Sequence, residues 1–247
     1  MKFLFAILLL SCGPLLGQSA DALIKQGDAL DRAGKTSQAL QAYLAANKKQ
    51  PNQVPTLTKI AKKYGDSMAS LSNKAARKRA GQQSLAYSRQ ALKANPKDSD
   101  AHLAVAISLG KMVEFMGNKE KIQTSRLIKT EAETALKLNP RSDYAHHLLG
   151  RWHQNIADMG FATRAITKVI YGAVPKGSYA SALNHFGTAR KLQPNRLIHE
   201  LEYGRTLAMM DRDKEARAVL TRALAKPNRE ADDAEAKVRA RASLKRL

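Results

Sequence analysis

Three histidines close to the single tryptophan are the residues of this sequence whose types most readily suggest chemistry. His146, His147 and His153 could ligate a metal ion, because neutral imidazole is a common metal ligand. A helical zinc site, however, places two histidines four residues apart on one face, with a carboxylate nearby, and these three do not have that spacing. We therefore predict packed core histidines, no metal and no cofactor.

A second candidate site comes from two polar residues of the same stretch. Arg151 and Asn155 are four residues apart, which places them on one face of a helix, where a guanidinium and an amide could hold a carboxylate or a phosphate. The alternative is that Arg151 pairs with an acid of its own chain. The predicted partner-binding residues, on the inner face of the fold, are Lys111, His147, Arg151, Asn155 and Arg205.

The charge of the chain indicates an anionic partner. The formal net charge is +21, and such a surplus raises the local concentration of anions. In residues 59–93, Asp66 is the single acid among nine basic residues. The predicted basic patch comprises Lys59, Lys62, Lys63, Lys74, Arg77, Lys78 and Arg79. The alternative is a helical surface that its charge merely keeps soluble.

Catalysis and nucleic-acid binding have little support in the sequence. It contains no nucleophile elbow, no phosphate-binding glycine loop and no dinucleotide fingerprint, so an enzyme is not expected. Aromatic residues do not alternate with the clustered cations, which argues against nucleic acid. Residues 172–179 could form a glycine-rich ligand loop, although a turn at Pro175 is the favoured interpretation. The expected partner is an acidic protein, with anionic lipid or a structural assembly as alternatives.

A repeated pattern of alanine and proline determines the predicted architecture. Four segments carry an alanine five residues before a proline, and these pairs are Ala46 and Pro51, Ala91 and Pro96, Ala135 and Pro140, and Ala189 and Pro194. A fifth segment ends one residue earlier, at Pro227. Proline ends each second helix because it lacks the N–H that another turn requires.

Glycine completes the pattern in the first and last segments. The same interval separates Gly27 from Ala39 and Gly204 from Ala216, and these small residues allow two helices to touch. Such positions are typical of the tetratricopeptide repeat, a helix-turn-helix of about 34 residues. The predicted fold is all-α, a tetratricopeptide-repeat superhelix of about five helix-turn-helix units with a C-terminal capping helix. The first helix of each unit is expected to line a concave groove that binds the partner.

The predicted domain organisation has two parts. Residues 1–19 are expected to be a signal peptide, because their apolar core is too short to span a membrane. A single solenoid domain, residues 20–247, is divided into units at 20–51, 52–96, 97–140, 141–194 and 195–228 and a capping helix at 230–247. This organisation predicts an exported protein, periplasmic or secreted. A lipoprotein anchored through Cys12 is the alternative.

Residues 146–194 also carry a family resemblance. The motif LLGRW at residues 148–152, a long insertion and the later segment ALNHF at 182–186 resemble the regulator of microtubule dynamics family, with weaker similarity over residues 74–228. The resemblance implies a helical-repeat adaptor. Eukaryotic members of that family associate with microtubules or organelle contacts, and one branch is linked to phospholipid binding. An exported bacterial member would not meet tubulin, so tubulin is not expected as a partner.

Overall fold

The computed structural model describes residues 17–160, 168, 176–230 and 232–247 of the chain. These residues contain α-helices, two short 3-10 helices at Met68–Ser70 and Val113–Phe115, and no β-strand. The α-helices are α1 (Ala20–Arg32), α2 (Thr36–Lys49), α3 (Val54–Ser67), α4 (Lys74–Ala94), α5 (Ser99–Met112), α6 (Asn118–Leu138), α7 (Asp143–Ala157), α8 (Tyr179–Leu192), α9 (Leu197–Ala208), α10 (Asp213–Leu224) and α11 (Asp233–Leu244). The predicted all-α fold is confirmed.

The helices pack in consecutive pairs. The closest packing joins α1 to α2, α3 to α4, α5 to α6, α7 to α8 and α9 to α10. Further contacts link each pair to the next one, and α11 packs against both α9 and α10. The first helices of the pairs, α3, α5, α7 and α9, therefore lie side by side with α11, and this row forms the inner wall of the solenoid.

Small residues lie where two helices of a pair meet most closely. A Cβ atom on Gly27 would lie 2.4 Å from Cε1 of Tyr43, and one on Gly150 would lie 2.7 Å from Cε1 of Phe186. Opposite them, Ala39 and Ala182 are fully buried. In each of these pairs an aromatic ring of one helix fills the space that a glycine leaves on the other. Because a protein interior is close-packed, this match determines how the two helices pack.

Side-chain caps determine where the inner helices begin. Asp98 accepts a hydrogen bond from the backbone N–H of Ala101 at 2.8 Å, and Ser142 accepts one from that of Ala145 at 3.4 Å. Each cap satisfies a backbone N–H that has no partner within the helix. These caps lie two residues after the prolines of the repeat. The residues at which α5 and α7 begin are therefore determined by the sequence just before each helix.

The hydrophobic core is a series of clusters between neighbouring helix pairs. Trp152 of α7 packs with Val105 and Leu109 of α5 and with Ile128 of α6. Its Nε1 donates to the backbone carbonyl of Ser125 at 2.9 Å, so the polar atom of the buried indole is satisfied. Each cluster therefore couples one pair to the next, as expected for stacked repeats.

Some sequence predictions concern residues that the structure does not describe. Residues 1–16, with Cys12 and nearly all of the expected signal peptide, lie outside the described residues. The predicted turn at Pro175 also lies outside them. Among the helices that are described, none combines the length and the hydropathy needed to cross a membrane.

Candidate functional site

A buried carboxylate bound by three arginines lies on the inner wall, between α7, α9 and α11. Glu202 of α9 has a fully buried side chain, and its Oε1 accepts hydrogen bonds from Nη1 of Arg151 at 2.7 Å and Nη2 of Arg239 at 3.1 Å. Its Oε2 accepts one from Nη1 of Arg205 at 2.5 Å. We call these four residues the arginine site.

The arginine site is not electrically neutral. Three guanidinium groups share the one buried carboxylate, and Glu235, which also accepts a hydrogen bond from Arg239, is 72% exposed to solvent. Burial alone would raise the pKa of Glu202, but the three arginines lower it to about 2. The pKa of Arg205 is lowered by burial and by the other two arginines. The site thus holds an excess of positive charge in poorly solvated surroundings.

The arginine site can be reached from solvent and has an unused donor. The side chains of Arg151 and Arg239 are 28% and 26% exposed, whereas Arg205 is 13% exposed. Nε of Arg205 is buried and has no hydrogen-bond partner among the described residues. A carboxylate or phosphate that approached from the groove would meet two partly exposed guanidinium groups, which bind such anions in a bidentate manner.

Two histidines pack beneath the arginine site. His147 is 8% exposed, and its Nδ1 lies 3.0 Å from Nδ1 of His199, whose Nε2 lies 2.8 Å from Oδ2 of Asp143. Burial, together with the nearby His199, holds the pKa of His147 well below its ordinary value. His147 is therefore neutral at pH 7, so it packs near the arginine site without adding to its positive charge.

A second histidine cluster lies between α7 and α8. Nδ1 of His146 lies 3.1 Å from Nδ1 of His185, and the ring of His153 stacks on that of His185 with centroids 5.6 Å apart. Burial and the two neighbouring rings lower the pKa of His185 to about 4. Among the described residues, no three side chains of His, Cys, Asp or Glu are arranged to hold a metal ion.

A cavity of about 250 Å³ opens on the inner wall between α3, α5 and the start of α7, and we call it the groove cavity. Its apolar lining includes Ala61, Leu103, Ala104 and Ile107. Its charged lining consists of Lys59, Lys62, Asp66, Asp100, Lys111 and Asp232. Gly65 makes room for one of these, since a Cβ atom there would lie 3.0 Å from Cδ of Lys111.

Asn155 occupies a different position from the arginine site. It is exposed and lines, together with Arg151 and Trp152, another cavity of about 270 Å³ between the third and fourth helix pairs. The structure therefore brings together Arg151 and Arg205 of the predicted set. It places Lys111 in the groove cavity, His147 below the site and Asn155 beside it.

The predicted basic patch is divided between two helices with different surroundings. On α3, Lys63 is 2% exposed and bound to both Asp31 and Asp66, the latter at 2.6 Å. Lys59 binds Asp28 at 2.5 Å, and Lys62 binds Asp66 at 2.9 Å. These lysines connect α3 to α1 and to its own last turn, and Lys63 in particular supports the fold.

The four residues of the predicted patch that lie on α4 make no hydrogen bond or ion pair with that cluster among the described residues. Arg77 binds Oε1 and Oε2 of Glu114 at 2.7 and 2.9 Å. Lys74, Lys78 and Arg79 are exposed. These three remain available for an anionic partner, whereas the three lysines of α3 are engaged within the chain.

Sequence reasoning missed Glu202 and the role of Arg239. Both residues stand in the sequence as ordinary charged helix positions, and they are brought together because α11 packs against α9. One available signal was the position of Glu202 two residues before Gly204, on the inner helix of its pair. The predicted alternative for Arg151, an acid of its own chain, is the arrangement in the structure, and that acid is Glu202.

The chain is similar over nearly its whole described length to one protein family. The family model described as Regulator of microtubule dynamics protein 1-3 matches residues 20–247. The curated protein of that name numbered 1, from Bos taurus, is 30% identical over 177 residues, which cover 71% of this chain and 55% of that protein. Protein 3 from Xenopus laevis is 26% identical over 175 residues, covering 70% and 38%. The chain thus spans about half the length of the first of these relatives.

Solved structures support the fold. A thermophilic TPR protein from Thermus thermophilus superposes with a TM-score of 0.65 at 14% identity, covering 92% of this chain and 99% of that one. PilF of Pseudomonas aeruginosa gives a TM-score of 0.54 at 16% identity, covering 92% and 91%. The predicted tetratricopeptide-repeat superhelix is therefore confirmed.

The relatives also correct one prediction. An exported protein, periplasmic or secreted, was expected, but the matched relatives are eukaryotic proteins named for microtubule dynamics. These relatives contradict the prediction of export, which is therefore wrong. That prediction and its alternative, a lipoprotein anchored through Cys12, were both drawn from the short apolar run near the N-terminus.

Proposed function

The chain belongs to the regulator of microtubule dynamics family, and from that premise we propose that it is a non-catalytic adaptor whose concave groove binds an acidic segment of a partner protein. The fold supplies a continuous inner wall, which is the usual recognition surface of stacked helical repeats. On that wall, the guanidinium groups of the arginine site would bind the carboxylates of the partner. A protein partner and a non-catalytic role both agree with the tetratricopeptide-repeat fold that the chain shares with the solved structure from Thermus thermophilus.

The observation that carries the proposal is the excess of guanidinium groups over buried carboxylates. Arg151 and Arg239 both donate to Oε1 of Glu202, and each retains further N–H donors. A carboxylate from a partner would neutralise part of the surplus charge and bind these free donors. Charge-assisted hydrogen bonds of this kind are roughly twice as strong as neutral ones, so an acidic side chain is the preferred occupant.

The experiment uses a fluorescein-labelled hexaglutamate peptide and fluorescence anisotropy at low salt. Arg239→Gln removes one guanidinium while leaving Arg151 and Arg205 to hold Glu202, so the fold is expected to persist. Affinity should fall by about tenfold, a loss of about 1.4 kcal/mol. The matched control is Arg212→Gln, which removes the same charge from a surface pair with Glu215 and should change affinity by less than about twofold.

Two results would count against this function. If both arginine variants weakened binding equally, the peptide would be responding to net charge and not to the arginine site. If the unmodified chain bound no hexaglutamate at all, the groove would not be an acidic-segment site. Because binding by charge is screened by salt, a specific site should also keep part of its affinity at about 0.15 M salt.

Tubulin becomes an open candidate for the partner. The argument against it was export, which the relatives have overturned. Co-sedimentation of the chain with polymerised microtubules is the direct test. If the groove makes the contact, Arg239→Gln should reduce the pelleted fraction and Arg212→Gln should not.

Anionic lipid is a second candidate, favoured by one observation. Lys74, Lys78 and Arg79 are exposed on α4. Cations near an anionic membrane contribute about 1 kcal/mol each to binding. Flotation with vesicles of neutral lipid and of neutral lipid mixed with phosphatidylserine, using Lys74→Gln and Lys78→Gln, would separate this surface from the groove.

A further inference from the structure

The residues that end the connection between α10 and α11 and begin α11 are the densest group of acids in a strongly basic chain. Glu230, Asp232 and Asp233 lie within four residues, whereas the chain as a whole has a formal net charge of +21. We call these three residues the acidic turn. Asp233 has a local role, because its Oδ2 accepts hydrogen bonds from the backbone N–H groups of Arg229 and Glu230 at 2.8 and 2.9 Å.

Glu230 joins the acidic turn to the starts of two inner helices. Its Oε1 accepts a hydrogen bond from Nε of Arg196 at 2.8 Å, just before α9. Its Oε2 accepts one from the hydroxyl of Tyr144 in the first turn of α7. The guanidinium of Arg196 also lies 4.1 Å from the ring centroid of Tyr144, so these three side chains form one contact.

Asp232 reaches the groove cavity. It precedes α11 without capping it through its side chain, and it lines the cavity with Lys62 and Lys111. No hydrogen bond or ion pair is made by Lys111 within the described ranges of the chain. Burial and the neighbouring Glu230 raise the pKa of Asp232, and Lys111 acts in the opposite direction. Asp232 therefore makes no side-chain cap bond at the helix start. It shares the cavity with Lys111, the one lysine of the lining that no acid of the described residues binds, and with Asp66 and Asp100.

The acidic turn also affects the pKa of Lys62, another residue of the cavity lining. Burial alone would lower the pKa of Lys62, but Asp66 raises it above its ordinary value, and Glu230 adds to that effect. The acidic turn and the lysines of α3 and α5 therefore interact across the groove. This is the charge complementarity that an acidic partner segment would use.

We propose that the inner wall formed by α3, α5 and the start of α7 is a second docking surface for an acidic segment, and that the chain's own Glu230 and Asp232 occupy it in this structure. A partner's acidic segment competes with the acidic turn for Lys111 and Arg196. This inference goes beyond the proposed function, because it concerns a second surface that is separate from the arginine site. It also gives Asp232 a role, because the side chain of Asp232 does not cap α11.

Competition of this kind lowers the apparent affinity for a partner by the fraction of molecules in which the groove is open. Removing the two carboxylates removes the competitor and leaves the cations in place.

The test uses the segment itself as the ligand. A fluorescein-labelled peptide with the sequence of residues 227–235, PNREADDAE, is titrated against the full chain and against the double variant Glu230→Gln, Asp232→Asn. The peptide should bind the double variant about tenfold more tightly than it binds the unmodified chain. The matched control, Glu120→Gln with Asp213→Asn, makes the same charge change at two exposed acids on α6 and α10.

Equal affinities for the double variant, the control and the unmodified chain would overturn the proposal, and so would absence of binding to all three. If thermal unfolding showed that the double variant was not folded, Asp232→Asn alone would be used, since Asp232 makes no cap bond that the change would break. Its expected effect has the same sign.

The two proposals can fail separately. Hexaglutamate binding that depends on Arg239 but is unchanged by the acidic-turn variants would leave the proposed function standing and remove this inference. Binding of the 227–235 peptide to the double variant, without any dependence of hexaglutamate binding on Arg239, would do the reverse.

Discussion

Nη1 of Arg151 on α7 lies 2.7 Å from Oε1 of Glu202 on α9, and the partly exposed arginine thereby contacts a carboxylate that is fully buried. Arg239 of α11 donates to the same oxygen at 3.1 Å. Apolar clusters and other polar contacts, such as that of Lys63 with Asp31, also join the pairs of the solenoid. The carboxylate of Glu202 is a polar contact shared by three consecutive inner helices, and it fixes their positions relative to one another.

Replacing that carboxylate should destabilise the fold strongly. Glu202→Gln leaves three guanidinium groups facing one another in a poorly solvated site, and an unpaired buried charge costs about 3–5 kcal/mol. We expect the free energy of unfolding, measured by urea denaturation at pH 7, to fall by about 3 kcal/mol. Added sulfate should restore part of the loss at equal ionic strength, because an anion can replace the carboxylate.

The control for this variant is a glutamate with equally good geometry on the surface. Glu215 accepts two hydrogen bonds from Arg212 at 2.8 Å, but its side chain is 57% exposed. Glu215→Gln should cost less than about 1 kcal/mol, because solvent screens exposed pairs. Similar losses for the two variants would show that the burial of Glu202 is not what makes it important.

The repeat could be predicted from sequence because its determinants are local. Gly27 and Ala39 belong to neighbouring helices of one pair, and their spacing reflects a contact made a few residues away. The arginine site could not be predicted in the same way. Arg151 and Arg239 belong to helices far apart in sequence, and how they meet at Glu202 depends on the accumulated rotation of successive pairs, which no local pattern encodes.

The basic patch illustrates a different limit of sequence reasoning. Lys63 and Lys78 look equivalent as charged helix residues, yet Lys63 is 2% exposed and Lys78 is exposed on α4. The acids that bind Lys63 include Asp31 on α1, which lies outside the charged stretch. Net charge predicts attraction for anions, but it does not reveal which cations are already engaged.

Gly150 provides a prediction about packing. A methyl group on Gly150 would lie 2.7 Å from Cε1 of Phe186, so Gly150→Ala should force the α7–α8 pair apart. Overpacking of this kind costs about 1–3 kcal/mol, to be measured from the urea midpoint. Gly110→Ala is the control, because a Cβ atom there meets nothing within 4 Å, and it should be neutral or stabilise by up to about 1 kcal/mol. A destabilised Gly110→Ala together with an unaffected Gly150→Ala would contradict this account.

Lys63 provides a prediction about buried charge. Lys63→Met keeps most of the buried stem but removes the ammonium that binds Asp31 and Asp66. Hydrogen bonds to charged groups are worth about 1.5–3 kcal/mol, and the free energy of unfolding should fall by about that amount. Lys78→Met, at an exposed position of α4, should stay within about 0.5 kcal/mol of the unmodified chain. If both variants lost the same free energy of unfolding, the ion pairs of Lys63 would contribute no more to stability than an exposed lysine does.

The clustered histidines predict how stability depends on pH. The pKa values of His146, His147, His153 and His185 are all lowered, chiefly by burial, and that of His185 falls to about 4. Unfolded histidines titrate near about 6.5. Below that pH the unfolded chain binds protons that the folded chain does not, so stability is complete above about pH 7 and is lost as the pH falls toward 5.

The size of this effect can be checked with one variant. Each histidine contributes up to about 1.4 kcal/mol per pH unit in this window, and urea denaturation at several pH values between about 7.5 and 5 measures the slope. His185→Gln should flatten the curve, because it removes one group whose pKa differs between the folded and unfolded states. Carboxylates with lowered pKa values, such as Glu202, act in the same direction but at lower pH, so they do not mask the histidines in this range. An unchanged slope in His185→Gln would mean that His185 is as easily protonated in the folded chain as in the unfolded one, and the cluster between α7 and α8 would then be more open to water than its packing indicates.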